Sequence, residues 1–443
     1  GGCMSNTTGI TPAKLLGESK FSGYQLRAII ICFLVAALDG FDTQSIAFVA
    51  PALRHLWDIA PEQFGPLFAA GLLGTMIGAI VLSSLADRFG RKPLIILSTL
   101  LFGVMSLLCA TATSVDSLFM YRLIAGFGLG GAIPNILALV SEYAPHRIRS
   151  TVIVATFTGF PFGAVVGGIA SSKIIPASGW EMVFILGGIL PLTLLPFVFA
   201  WVPESLRYLL RQNDKQVQAK RILERIQPGV TTAQSIDYTT DDVHTTKPVR
   251  NLFAPSRVAW TILLWLLTFT VLLLGYFLIN WSPLLLVDAG VPHQKAILGV
   301  VALNLGGIIG SLVIGRLSDK QGPFKVVAGA FGIGAIAIAV LGLMIDSSVP
   351  VLLSIVFVIG LFVFGGQLNV TALAANYYPL DMRSTGIGWS MGFGRVGSFV
   401  GPLIGGALVA YGLHQGQMFL VAAIPAAFAC ALVIGMARNK PKN

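Results

Sequence analysis

Twelve apolar runs of about twenty residues recur along this chain, near 27–50, 63–85, 93–112, 117–142, 150–172, 180–202, 258–282, 294–317, 324–345, 350–378, 383–411 and 416–436. Each is long enough to cross roughly 30 Å of hydrocarbon as an α-helix. Charged residues make up only 11% of the sequence, against about a quarter in soluble domains, and the mean hydropathy is +0.82. Water cannot be the only solvent. The 50 glycines and 23 prolines do not signal disorder, because both are tolerated in membrane helices and glycine lets helices approach closely. The expected class is therefore an all-α membrane protein with twelve transmembrane helices.

The basic residues set the topology. With the N-terminus inside, only Arg54, Lys173 and Lys295 of the 29 Lys and Arg fall in outer loops, while Arg122 and Arg395 lie within spans. The positive-inside rule then puts both termini in the cytoplasm. A net charge of +10 might suggest nucleic acid, but these cations are scattered among short loops and form no stripe, so no nucleic-acid partner is expected. The polar first 26 residues lack the pattern of a removable signal peptide, and Gly1-Gly2-Cys3 ahead of Met4 reads as a cloning remnant. Cys3, Cys32, Cys109 and Cys430 show neither metal-ligand spacing nor a disulfide framework, and read as packing residues. His55, His146, His244, His293 and His414 all fall in loops and read as solvated.

The chain repeats itself. Ser83-Ser84-Leu85-Ala86-Asp87-Arg88-Phe89-Gly90 is echoed 232 positions later by Gly315-Arg316-Leu317-Ser318-Asp319-Lys320-Gln321-Gly322. Asn135, Tyr143, Pro145, Arg149, Ser150 and Thr151 recur as Asn369, Tyr377, Pro379, Arg383, Ser384 and Thr385, at an offset of 234. These matches divide the chain into a tail (1–26), a six-helix bundle (27–202), a polar linker (203–257), a second six-helix bundle (258–436) and a short tail (437–443). In the linker, Glu204 to Arg225 reads as short amphipathic helices on the inner membrane surface, and the Thr- and Asp-rich stretch from 231 to 246 as a flexible connection. Parallel six-helix repeats place a substrate site near the bilayer midplane, between the halves.

The loop Asp87-Arg88-Phe89-Gly90-Arg91-Lys92 and its echo resemble the most specific mark of the major facilitator superfamily, with Ser83 standing where that family usually has Gly. Asp39-Gly40-Phe41-Asp42, Ile279-Asn280-Trp281-Ser282-Pro283 and Gly394-Arg395-Val396-Gly397 resemble its aromatic acid/proton symporters. That resemblance implies two pseudo-symmetric bundles working by alternating access. It also implies a benzoate- or hydroxybenzoate-type substrate carried with protons across a bacterial inner membrane, and functional residues at Asp39, Asp42, Asp87, Arg122, Glu142 and Asp319. It implies no enzymatic activity and no cofactor.

Ionisable groups inside a span are costly and are kept for pairing, water-filled paths or transport. Asp39 and Asp42 share roughly one helix face, with Asp39 ~18 Å in from Arg27. Arg395 lies at a similar depth in the other half. Two neighbouring carboxylates in low dielectric repel, which favours a proton on one of them. Asp39 or Asp42 is thus the expected proton carrier, with Arg122 modulating it. Arg395, a forked permanent cation, suits a carboxylate. Tyr276, Asn280, Asn304, Gln367 and Trp389 are candidates to complete the pocket. Asp87, Arg88, Arg91, Glu142, Arg147, Asp319 and Arg383 sit at cytoplasmic span ends, where ion pairs would close an inner gate; Pro203-Glu204-Ser205-Leu206-Arg207 is assigned to the same network.

Neither a Gly-x-x-x-x-Gly-Lys-Ser/Thr loop nor a His-Glu-x-x-His motif occurs, which argues against ATP-driven pumping or a metalloenzyme. A drug/proton antiporter, another organic-anion or sugar porter, and a non-transporting sensor stay open. The fifth span, Gly159-Phe160-Pro161-Phe162-Gly163, lacks the proline after its second glycine that antiporters carry.

Overall fold

A computed structural model describes residues 16, 21–212, 215–228, 249–255, 257–378 and 380–439. Among them there are helices and connecting turns and no strand. In chain order the helices are α1 (Gly23–Trp57), α2 (Phe64–Phe89), α3 (Arg91–Cys109), α4 (Val115–Tyr143), α5 (Arg149–Phe157), α6 (Gly159–Ser178), α7 (Glu181–Trp201), α8 (Leu206–Leu210), α9 (Gln216–Ile226), α10 (Val258–Asp288), α11 (His293–Gln321), α12 (Pro323–Leu343), α13 (Val349–Ile359), α14 (Gly365–Tyr377), α15 (Leu380–Ala410) and α16 (Gln415–Arg438). Among the described residues eleven apolar segments are long enough to cross a membrane, and the 35-residue α1 packs with them as a twelfth. Ser22 starts α1 with a reciprocal cap, accepting from the Gln25 N–H while Gln25 accepts from its own.

Two spans depart from regular helix. The fifth breaks between Phe157 and Gly159 into α5 and α6, and the tenth carries a π turn over Gly360–Phe364 between α13 and α14. Runs of apolar sequence do not reveal either interruption.

The repeat seen in sequence reappears as packing. A methyl group on Gly74 or Gly78 of α2 would stand 2.0 Å from the carbonyl oxygens of Leu123 and Phe127 in α4. Their counterparts Gly306 and Gly310 of α11 face the carbonyls of Phe357 and Leu361 in the same way, at 2.4 and 1.9 Å. Without a hydrophobic force between helices in lipid, such backbone contact is what packing relies on. The echoed asparagines also match. Asn135 donates to the Gly131 carbonyl at 2.8 Å and Asn369 to the Gly365 carbonyl at 2.9 Å.

The linker helices correct one expectation. Leu206, Leu209, Ala219, Leu223 and Ile226 are buried against Ile31, Val140 and Tyr143 of the first half, so their apolar face covers protein rather than lipid. The stretch from 231 to 246 and His244 lie outside the described residues. Cys32 and Cys109 are buried free thiols.

Candidate functional site

A cavity of about 170 Å³ lies between the halves. The first half lines it with Asp39, Thr43 and Gln44 of α1, Leu72 and Thr75 of α2, Leu129 and Ile133 of α4, and Phe157, Phe160 and Pro161 of the broken fifth span. The second half contributes Leu272, Gly275, Tyr276 and Ile279 of α10, Asn304 and Gly307 of α11, Phe364 of the π turn, Gln367 and Leu368 of α14, and Arg395 of α15.

The two aspartates have different surroundings. Asp42 is fully buried and faces into the first half, where Arg122 Nη1 donates to its Oδ2 at 2.9 Å and Ser106 Oγ to its Oδ1 at 2.7 Å. Arg122 Nη2 also donates to the Asp42 backbone carbonyl at 3.0 Å, and its guanidinium lies 5.9 Å from the Phe184 ring centre, within cation–π range. Asp39 instead borders the cavity. Its Oδ1 accepts from Thr43 Oγ1 at 3.1 Å, and Arg395 and Tyr276 are within electrostatic reach. Gly40 between the two acids lets α1 touch the broken helix, since a methyl there would stand 1.9 Å from the Phe160 carbonyl.

Tyr276, Asn304, Gln367 and Arg395 are thus brought to one cavity, as expected. Asn280 and Trp389 are not. Asn280 is buried and donates to the Tyr276 carbonyl of its own helix at 2.8 Å, a common way for a short amide to satisfy itself in a helix. Trp389 is half exposed and stacks on Trp265, away from the cavity.

Sequence reading missed Gln44. Its side-chain amide and that of Asn304 exchange hydrogen bonds across the halves, Gln44 Nε2 to Asn304 Oδ1 at 3.2 Å and Asn304 Nδ2 to Gln44 Oε1 at 2.8 Å. His293, read as a solvated loop residue, meets the Phe48 carbonyl across the halves at 2.9 Å, and Arg54 pairs with Asp288. All three contacts lie between mid-helix and the face opposite the N-terminus. Closure there is completed by Gly65, on which a methyl would lie 3.0 Å from Gly406.

The N-terminal face is different. Asp87, Arg88, Arg147 and Asp319 are exposed and make no ion pair across the halves among the described residues. Arg91 and Glu142, placed by sequence in a gate between halves, pair within the first half. Arg91 Nη1 donates to Glu142 Oε1 at 2.5 Å, and Ser205 Oγ donates to both carboxylate oxygens. Glu204 Oε1 accepts from the backbone N–H groups of Arg91, Lys92 and Ser205, capping the N-terminus of α3 with a negative charge. The Arg383 side chain lies outside what is described. Among the described residues no group of three His, Cys, Asp or Glu is placed to hold a metal ion.

The model of the Major Facilitator Superfamily matches residues 32–367 and 300–443. The chain is 37% identical to the gallate transporter of Pseudomonas putida, over 95% of this chain and 93% of that one. It is 35% identical to the 4-hydroxybenzoate transporter PcaK of the same species, over 95% and 94%. The 3-(3-hydroxy-phenyl)propionate transporter of Escherichia coli is 37% identical over 89% of both chains. Among solved structures, the xylose transporter XylE of E. coli in a partially occluded inward-open conformation superposes with a TM-score of 0.74, at 19% identity, over 95% of this chain and all of that one. An integral membrane protein whose apolar helices form two halves around a central cavity, this chain belongs to the Major Facilitator Superfamily.

Proposed function

We propose that the protein is a proton-coupled symporter that imports a small aromatic carboxylic acid by alternating access, with both termini in the cytoplasm of a bacterial inner membrane. The observation that carries this reading is that Asp39 from one half and Arg395 from the other border one cavity, while the second intramembrane aspartate is already neutralised by Arg122. The resemblance to gallate and hydroxybenzoate transporters supports the substrate class.

The coupling follows from charge balance. In the empty cavity the Asp39 carboxylate offsets the Arg395 guanidinium. An arriving aromatic carboxylate takes the guanidinium fork and leaves Asp39 as an uncompensated charge in a site of low dielectric, where a net charge is costly. A proton on Asp39 restores neutrality, so anion and proton bind best together. The leucines, phenylalanines and isoleucines of the wall supply an apolar slot for the ring. With the contacts from Gln44 to Arg54 closing the opposite face, and the exposed Asp87, Arg147 and Asp319 at the N-terminal face, this conformation is the one open to the cytoplasm. Reversal would break the first set and draw the second together.

The test is uptake of labelled benzoate and hydroxybenzoates into liposomes with an acidic exterior, corrected for entry into protein-free vesicles. Protein-dependent accumulation that is lost in Arg395→Ala and unaffected by an imposed membrane voltage supports a one-proton, electroneutral symport. Uptake of no aromatic acid by folded protein refutes the substrate class. A voltage-driven uptake refutes the charge balance.

A further inference from the structure

The polar groups of the cavity are mostly spent on one another. Thr43 donates to Asp39, Gln44 and Asn304 pair with each other, and Thr75 donates to the Gly71 carbonyl of its own helix. Besides Arg395 and Tyr276, which line the same cavity, one group stands out. The Gln367 side-chain carbonyl oxygen is buried and has no hydrogen-bond partner among the described residues. It lies over Gly275, where an added methyl would come within 2.9 Å of it, and both residues line the cavity. The π turn at Gly360–Phe364 immediately precedes it, a distortion frequent at functional sites.

A buried acceptor left without a donor is unfavourable, and the cost is relieved when a ligand supplies an O–H. The apolar slot and Arg395 account for a ring and a carboxylate; they leave this oxygen unused. We infer that Gln367 is a specificity residue that accepts a hydrogen bond from a ring hydroxyl, so that the preferred cargo is a phenolic aromatic acid rather than an unsubstituted one. Sites built to bond a hydroxyl reject the analogue lacking it, because their own polar group is stranded. The glycine at 275 is part of the device, since it is what leaves room for the oxygen. This inference rests on the proposed transport function and refines its substrate.

The experiment is equilibrium binding of benzoate, 3-hydroxybenzoate and 4-hydroxybenzoate to the purified full chain in detergent. At least one hydroxybenzoate is expected to bind roughly tenfold tighter than benzoate, the factor that corresponds to one hydrogen bond made rather than left unmade. Gln367→Leu is expected to bring the ratio of the two dissociation constants close to one. Gly275→Ala, which displaces the oxygen without removing it, is expected to lower the ratio as well and serves if the leucine variant does not fold. Equal binding of benzoate and both hydroxybenzoates by the unaltered protein overturns the inference and leaves the transport function intact. So does a ratio that survives in a folded variant. Binding of no aromatic acid at all overturns the transport function and this refinement together.

Discussion

The buried Asp42–Arg122 pair gives the sharpest test of how the first half is held together. Arg122→Met keeps much of the side-chain length but removes two hydrogen bonds to Asp42, at 2.9 Å to the carboxylate and 3.0 Å to the backbone carbonyl, a longer one to Ser45 Oγ at 3.5 Å, and the contact to the Phe184 ring. Bonds to charged groups contribute about 1.5–3 kcal/mol each, and breaking a buried pair from one side costs roughly 3–5 kcal/mol because the other charge is stranded. Asp42 would keep only Ser106 as a side-chain donor to its carboxylate. The folded-to-unfolded ratio should therefore fall by two to nearly four powers of ten, by about 1.4 kcal/mol per tenfold. Unfolding of the purified protein in a denaturing-detergent titration, followed by circular dichroism, measures this. The double variant Asp42→Asn/Arg122→Met has no stranded charge and should recover at least half of the loss, since neutral replacements of buried pairs are often well tolerated. Costs that simply add in the double variant, or an Arg122→Met protein as stable as the original, would refute direct pairing as the stabilising contact.

Three further outcomes follow from the same geometry. Asp39→Asn, neutral at every pH, should exchange labelled substrate across liposome membranes yet fail to accumulate it under a proton gradient; gradient-driven accumulation by this variant would remove Asp39 from coupling. Gly163→Ala would place a methyl 1.7 Å from the Ala37 carbonyl oxygen, forcing α1 and α6 apart at a cost of about 3 kcal/mol or more, read as a lowered thermal midpoint; an unchanged midpoint would contradict the contact. Gln44→Leu removes both amide bonds to Asn304 and loosens the opposite face, so a cysteine introduced by Val291→Cys, a position only 5% exposed, should react roughly tenfold faster with a membrane-impermeant thiol reagent. No change in that rate would argue that the bridge does not hold the face shut.

What was legible in the sequence was what hydrocarbon forbids. Span lengths, loop charges and the repeated loop all reflect the cost of placing polar groups in lipid, and the four intramembrane charges drew attention for the same reason. Uncharged contributors left no such mark. Gln44 is one amide among many, and only the fold brings it opposite Asn304. Asp39 and Asp42 look like neighbours on one face, but three residues at about 100° each leave them some 60° apart, enough for one to meet the cavity and the other Arg122. Asn280 has the residue type of a pocket wall, but its amide is spent on the Tyr276 carbonyl of its own helix. Arg91 and Glu142 sit at span ends as expected, yet which half supplies the partner is a matter of tertiary packing that residue order does not encode.

The cavity wall has a history written into its two sides. At the spacing of the internal repeat, Leu72 corresponds to Asn304, Thr75 to Gly307, Ile133 to Gln367 and Pro161 to Arg395, and every one of these eight residues faces the same space. At the matched positions the second half carries Asn304, Gln367 and Arg395 where the first has Leu72, Ile133 and Pro161, while the first half brings Asp39 and Gln44 to the same space from α1. In the proposed mechanism, the Arg395 that takes the cargo carboxylate and the Asp39 that takes the proton therefore reside on separate gene halves. A chimera that exchanges the second half between two such carriers should inherit the donor's diet and retain the host's energy coupling, which is a route by which new nutrients can be adopted without rebuilding the motor.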